Sequence, residues 1–443
     1  MVVDGGSGTP GAPGASGARG RDGGTGSPGR SSARSALLPV LLGVLVLAAA
    51  AAPVVHRYLV AYPDDQWQVD LEVYREAGRS LLLGRPVYEF LTESPQLLPF
   101  TYPTFSAVLA VPLALLPWGA AGWVWTGVQL ALLWLVVGLA FAPLLARAGR
   151  WAPLVQGVLA GACVWISPVG ENLRFGQVNL VLVSLCLLDV VRGHDGVRLG
   201  RYRVRWPRGA LVGVAVAVKL TPGVFLIHFA LTRQWRELRN AVLAAAGVTV
   251  ATFLLAPEAS LEFWTSALLD PERLGPNAGS SNQSVRGFLL RLYLPEAVTT
   301  LLWVLLAGTA AALGLAVARR LHRRGSLVGE VAACGVVALL LSPVSWLHHF
   351  VWGVLVLGAV LGDGRERRRA VVAVVGAALL FVAWPWWGAN LLAERSVPVP
   401  LARAVQSGDL WWALLALVAL ARWVGVPARE VEERRPTESS NSG

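Results

Sequence analysis

The stretch ALLPVLLGVLVLAAAAAPVV, residues 36–55, is twenty residues long and has no charged side chain. An α-helix needs about twenty apolar residues to cross a bilayer, so this stretch predicts a membrane-spanning helix. Similar apolar stretches recur as far as residue 424. The 443-residue chain is 55% hydrophobic and 15% charged, whereas a typical soluble domain is about 25% charged. These features predict an all-α polytopic membrane protein.

The apolar segments give twelve candidate spans, and this number places both termini on the cytoplasmic side, where Arg-rich ends belong. Their positions are near residues 36–55, 98–118, 122–146, 152–168, 173–191, 209–231, 241–256, 298–318, 330–347, 349–362, 371–387 and 409–424. Segment 192–208 carries six arginines but would then lie outside. A count of about ten spans returns it to the cytoplasm, and the sequence leaves both counts open. Loops 56–97 and 257–297 lie outside in either case.

Composition divides the chain into three regions. Residues 1–35 are rich in Gly, Pro and Arg and predict a disordered cytoplasmic tail. Residues 36–424 form the predicted transmembrane domain, of which residues 36–55 are a retained first span. Residues 425–443 form a second, charged cytoplasmic tail. We therefore expect a multi-pass protein of the plasma membrane with both termini in the cytoplasm.

Charge and cysteine usage exclude two other classes of protein. The net charge of +11 comes from arginines that cluster between apolar segments, as in cytoplasmic loops of membrane proteins. Nucleic acid is therefore not an expected partner, whereas the lipid bilayer is. The three cysteines lie in apolar segments at scattered positions and predict buried core residues, not a disulfide framework or a zinc site. They are Cys163, Cys186 and Cys334.

The first external loop contains DLEVYREAGRSLLLGRPVYEF, residues 70–90. Its apolar residues recur at helical spacing with charged residues between them, which predicts a helix lying along the membrane surface. Asp70 stands at the start of this helix. It can be an N-cap, for which Asp is well suited, or a carboxylate held in one direction for chemistry. Asp64 and Asp65 are a competing pair of carboxylates in the same loop.

Further polar residues stand at the ends of apolar segments. Gln177 and Asn179 precede an apolar stretch and can provide hydrogen bonds at the membrane surface or cap a helix. Lys219 is the only lysine among the 38 basic residues and stands three residues before Pro222, which breaks a helix. Its ammonium group either reaches water at a helix end or binds an anion such as a phosphate. Arg286 lies in loop 257–297, which is rich in small hydrogen-bonding residues.

The segment SPVSWLHHFVW, residues 342–352, places His348 and His349 side by side in apolar surroundings. Neighbouring residues on an α-helix point about 100° apart, so two adjacent histidines chelate a metal poorly. No H-E-x-x-H motif or cysteine partner lies nearby. We therefore expect one imidazole to face a polar pocket and no metal to be bound.

Six motifs occur in the same order as in a known family and cover about residues 65–355. They are DLEVYREAGRSLLLGRPVYE, FTYPTFSAVLAVPLALLP, GQVN, KLTP, SSNQSVRG and SPVSWLHHFVW. Together they resemble the actinobacterial membrane glycosyltransferases of family 87. These are enzymes of the GT-C superfamily that use polyprenyl-phosphate sugars, as do the α-1,2-mannosyltransferases of phosphatidylinositol mannoside and lipoarabinomannan synthesis.

The resemblance implies a GT-C-type bundle of about 10–12 transmembrane helices with an external active site under the first loop. It also implies an inverting transfer of mannose from a polyprenyl-phosphate donor to a glycolipid acceptor, with Asp70 as the base. The donor phosphate would be bound by cations and imidazoles: Lys219, Arg286, His348 and His349. The sugar and the acceptor would be contacted by Tyr74, Tyr102, Gln177, Asn179, Asn282 and Gln283. No cofactor is expected.

Two alternatives remain at this point. Arabinofuranosyltransferases of the same family use decaprenyl-phosphate-arabinose, and the six motifs do not separate the two donors. A non-enzymatic transporter of lipid-linked sugars belongs to a different class. It would place charges within central spans and show inverted repeats, whereas here the polar residues concentrate in external loops and at segment ends.

Overall fold

The computed structural model describes residues 30–63, 67–192, 196–199, 202–270, 273, 275 and 277–423. In these residues the chain is predominantly helical, which confirms the predicted all-α class. The first ten α-helices are α1 Arg30–His56, α2 Val69–Leu82, α3 Thr104–Ala114, α4 Trp118–Ala140, α5 Ala142–Arg147, α6 Ala152–Val164, α7 Ser167–Phe175, α8 Asn179–Arg192, α9 Ala210–Val218 and α10 Val224–Leu231.

The second half of the chain continues in the same way. Its helices are α11 Trp235–Leu255, α12 Pro257–Thr265, α13 Val285–Leu290, α14 Glu296–Arg323, α15 Leu327–Leu341, α16 Gly353–Leu361, α17 Arg367–Phe381, α18 Trp384–Ala393, α19 Val399–Gln406 and α20 Gly408–Trp423. Helix α1 continues into a π-helical turn, Arg57–Ala61. Short 3₁₀ turns occupy Gly149–Trp151, Thr221–Gly223, Ala267–Leu269 and Leu347–Trp352.

The Arg-rich segment 192–208 contains the small sheet of the described residues. Strands β1, Val197–Leu199, and β2, Tyr202–Val204, pair antiparallel with Val197 opposite Val204. The predicted tails are described only from residue 30 to residue 35, where helix α1 has already begun. Residues 1–29 and 424–443 lie outside the described part, so the assignment of the tails stays a prediction.

Several helices of the described part are long and apolar enough to cross a membrane. Four satisfy this on their own, namely Leu37–Ala61, Trp118–Ala140, Trp235–Leu255 and Glu296–Arg323, and up to seven do if three bent helix pairs each form one span. The bends are 78° between α6 and α7, 51° between α17 and α18, and 61° between α19 and α20. The polytopic class is confirmed, and the number of ten or twelve crossings stays a prediction, because many of the remaining apolar helices are short.

The centre of the bundle is formed by α15 and α16, whose side chains are buried along nearly their whole lengths. The 3₁₀ turn Leu347–Trp352, which carries both histidines, joins these two helices through the protein interior. Gly335 on α15 makes this possible because a Cβ atom there would collide with the ring of Trp352. Cys163, Cys186 and Cys334 are buried and free, as predicted.

A second, smaller hydrophobic core holds the first-loop helix against the bundle. Val73, Tyr74 and Ala77 on α2 pack with residues of the following loop, of α3 and of α12. Gly78 allows the closest approach, since an added Cβ atom would come within 2.9 Å of the backbone of Ala110 on α3. The helix predicted in the first loop is confirmed, and its packing fixes the direction of its N-terminal turn.

Candidate active site

Asp70 lies in the first turn of α2 and not at its N-cap. The N-cap is Gln68, which has a left-handed backbone and whose side chain does not cap the helix. Gln68 instead connects two helices, because its backbone N–H donates to the carbonyl of Arg174 at 2.7 Å and its side chain donates to Thr126 at 2.7 Å. The interpretation of Asp70 as a cap is therefore wrong. The residue as a whole is partly exposed, and its carboxylate is not used to cap the helix.

Gln177 organises the polar residues around Asp70. Its Oε1 lies within hydrogen-bonding distance of three groups, the hydroxyls of Tyr74 (3.2 Å) and Tyr102 (3.3 Å) and the amide nitrogen of Asn179 (3.4 Å). The two tyrosine hydroxyls are 3.0 Å apart. Because three donors surround Oε1, the amide NH₂ of Gln177 is directed to its remaining partner, the carboxylate of Asp70. Four residues predicted as sugar contacts are thus brought together beside the predicted base.

The environment of Asp70 adjusts its acidity. Loss of contact with water raises the pKa of Asp70 from 3.8 to about 6, while the hydrogen bond from Gln177 and the positive charge of Lys219 act in the opposite direction. A carboxylate with a pKa near 6 is a stronger base than an exposed one and is still ionised at neutral pH. General bases with a pKa close to the working pH are the most effective.

Lys219 lies where the chain changes from α9 to the 3₁₀ turn Thr221–Gly223. The backbone is extended at this residue, so the break predicted before Pro222 is confirmed. Its Nζ atom is 3.0 Å from Nε2 of His349 and 5.0 Å from the centre of the Tyr102 ring. The lysine therefore points into the same cluster as Asp70.

The two histidines point in different directions, as the angular argument predicts. Nδ1 of His349 accepts a hydrogen bond from the backbone N–H of Trp346 at 3.1 Å, which directs Nε2 to Lys219. His348 is buried, its ring lies edge-on to Phe175 with centroids 5.3 Å apart, and its Nε2 has no hydrogen-bond partner among the described residues. His349 is thus the histidine whose imidazole contacts the ammonium group of Lys219.

Asn282 and Gln283 hold the chain segment that precedes the histidines. Oδ1 of Asn282 accepts the backbone N–H of Ser345 at 3.0 Å, and the side chain of Gln283 donates to the carbonyl of Gln406 at 2.8 Å. Arg286 stacks on Trp303, with 5.6 Å from its Cζ to the ring centroid. These three residues therefore contact other parts of the protein and lie outside the Asp70 cluster. The direct substrate contacts expected of them stay predictions. Asp64 and Asp65 lie outside the described residues.

Two groups of residues escaped sequence reasoning. The first is His228, His322 and Glu330, which come from three helices and place their ligand atoms within 4.8 Å of one another, close enough to hold a metal ion. The second is Arg57 with Arg174, which share two tyrosine rings. Neither group stands out as one local motif, because His228 is 102 residues from Glu330 and Arg57 is more than a hundred residues from Arg174.

Comparison with known proteins gives one family. A family model described as glycosyltransferase family 87 matches residues 100–343. This interval contains Gln177 and Lys219, whereas Asp70 and His349 lie outside it. No solved structure matches the chain.

Three curated relatives extend the similarity over most of the chain. A protein of Mycolicibacterium smegmatis is 35% identical over 382 residues, covering 80% of this chain and 83% of the relative. One of Mycobacterium tuberculosis H37Rv is 33% identical over 396 residues, covering 84% and 88%. Both are named polyprenol-phosphate-mannose-dependent α-(1-2)-phosphatidylinositol mannoside mannosyltransferases. A pentamannoside mannosyltransferase of M. tuberculosis CDC 1551 is 31% identical over 386 residues, with 83% of each covered. The chain belongs to glycosyltransferase family 87.

Proposed function

We propose that this protein transfers a mannosyl residue from a polyprenyl-phosphate-mannose donor to a hydroxyl group of a phosphatidylinositol mannoside acceptor. The observation that carries the proposal is the cluster of the Asp70 carboxylate with a lysine and an imidazole, Lys219 and His349. The names of the relatives support the choice of donor and acceptor. A mannose donor is favoured over arabinose because all of these relatives are named for mannose.

In this proposal Asp70 takes the proton from the acceptor hydroxyl as its oxygen attacks the anomeric carbon of the mannose. The new C–O bond forms on the face opposite the phosphate, so the configuration inverts. The bond between the anomeric carbon and the phosphate oxygen breaks at the same time, and polyprenyl phosphate leaves with the electron pair. Negative charge therefore develops on the phosphate, where a fixed cation stabilises the transition state.

Lys219 is the cation that we assign to the leaving phosphate. His349 positions it, because the imidazole is itself held by the backbone of Trp346. Tyr74, Tyr102 and Asn179 surround Gln177 and present hydroxyl and amide groups to the sugar or the acceptor. Gln177 keeps Asp70 oriented, so that the basic oxygen stays directed to the bound hydroxyl.

We place this site on the external face of the membrane and both chain ends in the cytoplasm. The support comes from α15, whose C-terminal end leads to the histidines, while its N-terminal end follows the arginine-rich end of α14. Arginines concentrate on cytoplasmic ends, so the site at the other end of α15 faces outward.

The substitution Asp70→Asn tests the assignment of the base. It keeps the shape of the side chain and removes its basicity, so kcat should fall by about 10²- to 10⁴-fold. The measurement is the transfer from radiolabelled polyprenyl-phosphate-mannose to phosphatidylinositol mannoside in membranes that contain equal amounts of each variant. Glu76→Gln is the matched control, because Glu76 lies on the same helix in a partly exposed ion pair with Arg79 and should be active. Near-normal activity of Asp70→Asn would show that Asp70 is not the base. Asp64 and Asp65 would then be the next carboxylates to test.

A further inference from the structure

A cluster of two arginines and two tyrosines, Arg57, Tyr58, Tyr62 and Arg174, lies beside the candidate active site. The guanidinium carbon of Arg57 is 5.6 Å from the ring centre of Tyr58 and 5.9 Å from that of Tyr62. The corresponding distances for Arg174 are 5.7 Å and 5.6 Å. Two cations therefore lie near the same pair of aromatic rings. The two guanidinium groups repel each other unless an anion lies nearby.

Among the described residues, one carboxylate is paired with this arginine–tyrosine cluster. Glu171 Oε2 lies 3.3 Å from Nη1 of Arg174, and the charge of Glu171 also acts on Arg57. Within the described residues, two guanidinium groups with this one carboxylate leave a net charge of +1. Arg57 is exposed, and Nε of Arg174 is buried without a hydrogen-bond partner among the described residues. The cluster thus has both an excess positive charge and an unused donor.

The cluster is connected to the first turn of α2 through a different element from the one that carries Lys219. The carbonyl of Arg174 accepts the backbone N–H of Gln68, two residues before Asp70. The Arg174 guanidinium also covers the ring of Phe175 at 5.0 Å, and that ring contacts His348. Lys219, in contrast, joins the site through His349. Lys219 thus stands at the end of α9, whereas Arg57 and Arg174 stand in the π-helical turn after α1 and on α7.

The place of the cluster also suits a lipid headgroup. Arg57 and Tyr58 stand in the last turn of the apolar helix Leu37–Ala61, which is long enough to cross a membrane, so they lie at the level of the interface. This last turn is π-helical, and π-helical turns occur frequently at functional sites. Arginine binds phosphate groups through two parallel N–H donors, which lysine cannot do.

We propose that Arg57 and Arg174 bind the phosphodiester of the anionic glycolipid acceptor, while Lys219 is left for the phosphate of the donor. This inference rests on the proposed function, in which both substrates are membrane lipids and each carries a phosphodiester. Two anions cannot share one lysine without repelling each other. Cationic groups on separate elements allow both lipids to be bound at once, with the sugar and the hydroxyl meeting at the carboxylate.

The test compares an anionic acceptor with a neutral one. Arg57→Gln, Arg174→Gln and the double variant are assayed with a phosphatidylinositol mannoside and with an alkyl α-mannoside that has no phosphate. Each single variant should raise KM for the anionic acceptor by about tenfold, the loss expected for one charge-assisted hydrogen bond. KM for the neutral acceptor and for the donor should not change. Arg57→Lys should recover part of the loss, since it restores the charge without the paired donors.

Arg79→Gln is the matched control, because Arg79 is an exposed arginine on α2. Equal losses with both acceptors would mean that the arginines only support the fold, and a raised KM for the donor would assign them to the donor. An unchanged KM for the anionic acceptor in all variants would also contradict the inference. Arg57→Gln keeps the test valid if Arg174→Gln does not fold, because Arg57 is at the surface. Absence of mannosyl transfer by the unsubstituted protein to either acceptor would overturn the proposed function itself, an outcome distinct from the other three.

Discussion

Helix α15 has a polar cluster at each of its ends, and the two clusters use the same kinds of side chain. At its N-terminal end, Glu330 lies between His228 and His322, and at its C-terminal end His349 joins Lys219 near Asp70. Both clusters place a carboxylate and basic groups in a bundle of apolar helices, where an unpaired charge costs several kcal/mol. The two differ in how completely the carboxylate is satisfied.

Glu330 is fully buried and both of its oxygens have partners. Oε1 is 2.8 Å from Nε2 of His228 and 3.4 Å from the amide of Gln234, and Oε2 is 3.1 Å from Nδ1 of His322. Asp70 is partly exposed as a residue, and its carboxylate has a hydrogen bond from Gln177. A closed set of hydrogen bonds ties helices together, whereas an open set leaves a carboxylate able to react. The comparison separates a closed cluster that ties helices together from a cluster that we propose to be catalytic.

The largest effect should come from opening the closed cluster. Glu330→Gln removes the carboxylate that joins α10, α14 and α15, and the loss of one partner of a buried ion pair costs about 3–5 kcal/mol. The variant should therefore unfold at a lower temperature in detergent, while the fraction that remains folded keeps its KM and kcat. A loss of kcat without a loss of stability would contradict this distinction between the two clusters, because Glu330 would then take part in the reaction.

Lys219→Met should give the next largest effect, this time on activity. Removing one fixed group that stabilises developing negative charge lowers kcat by about 10²- to 10³-fold. Because Lys219 is the only lysine of the chain, an amine-reactive reagent labels it without interference from other lysines. Mass spectrometry should show that polyprenyl-phosphate-mannose protects this lysine. Labelling at the same rate with and without the donor would show that Lys219 does not bind the donor.

Single substitutions of the two histidines should separate their roles. His349→Asn can keep the acceptor for Trp346 N–H but loses the contact with Lys219, so kcat/KM should fall by about 10- to 100-fold. His348→Asn should have a smaller effect, because its ring contacts Phe175 and not Lys219. Steady-state kinetics with the mannose donor would measure both. A reversed order of sensitivity would mean that the unpartnered Nε2 of His348 contacts the substrate.

The smallest effect should be a shift of the pH profile. The base must be ionised to act, so activity should fall as the pH drops through the pKa of Asp70, about 6, by about tenfold for each further pH unit. Gln177 lowers this pKa by its hydrogen bond, so Gln177→Leu should move the acidic limb to higher pH. An acidic limb that stays in place in Gln177→Leu would show that the limb reports another group.

The raised pKa of Asp70 also has a consequence for stability. Because the pKa is higher in the folded state than the unfolded value of 3.8, folding favours the protonated form, and stability is lost as the pH rises from about 4 to about 6. Asp70→Asn, which is always neutral, should therefore unfold at the same or a higher temperature than the unsubstituted protein at pH 7. Glu330→Gln should instead unfold at a lower temperature than the unsubstituted protein, so the melting curves of the two variants distinguish the two clusters.

Much of the candidate site can be predicted from the sequence because its polar residues stand out against apolar surroundings. Lys219, Gln177, Asn179 and His349 each break an apolar stretch. The structure brings them together, although it places Asp70 in the first turn of α2 rather than at its cap. The contacts of Asn282 with Ser345 could not be foreseen, since a hydrogen-bonding loop residue has the same pattern whether it binds a ligand or another loop.

The sequence by itself determined the all-α membrane class, the first-loop helix and the membership of a glycosyltransferase family. These depend on local patterns, namely long apolar stretches, helical spacing and short motifs in order. The folded structure was needed to show that Gln177 orients Asp70, that His349 and not His348 contacts Lys219, and that Arg57 and Arg174 lie over the same tyrosine rings. Each of these contacts joins side chains that are separated along the chain by about a hundred residues or more, or depends on which way a ring turns. Helix packing sets such distances and directions, and the order of residues along the chain does not record them.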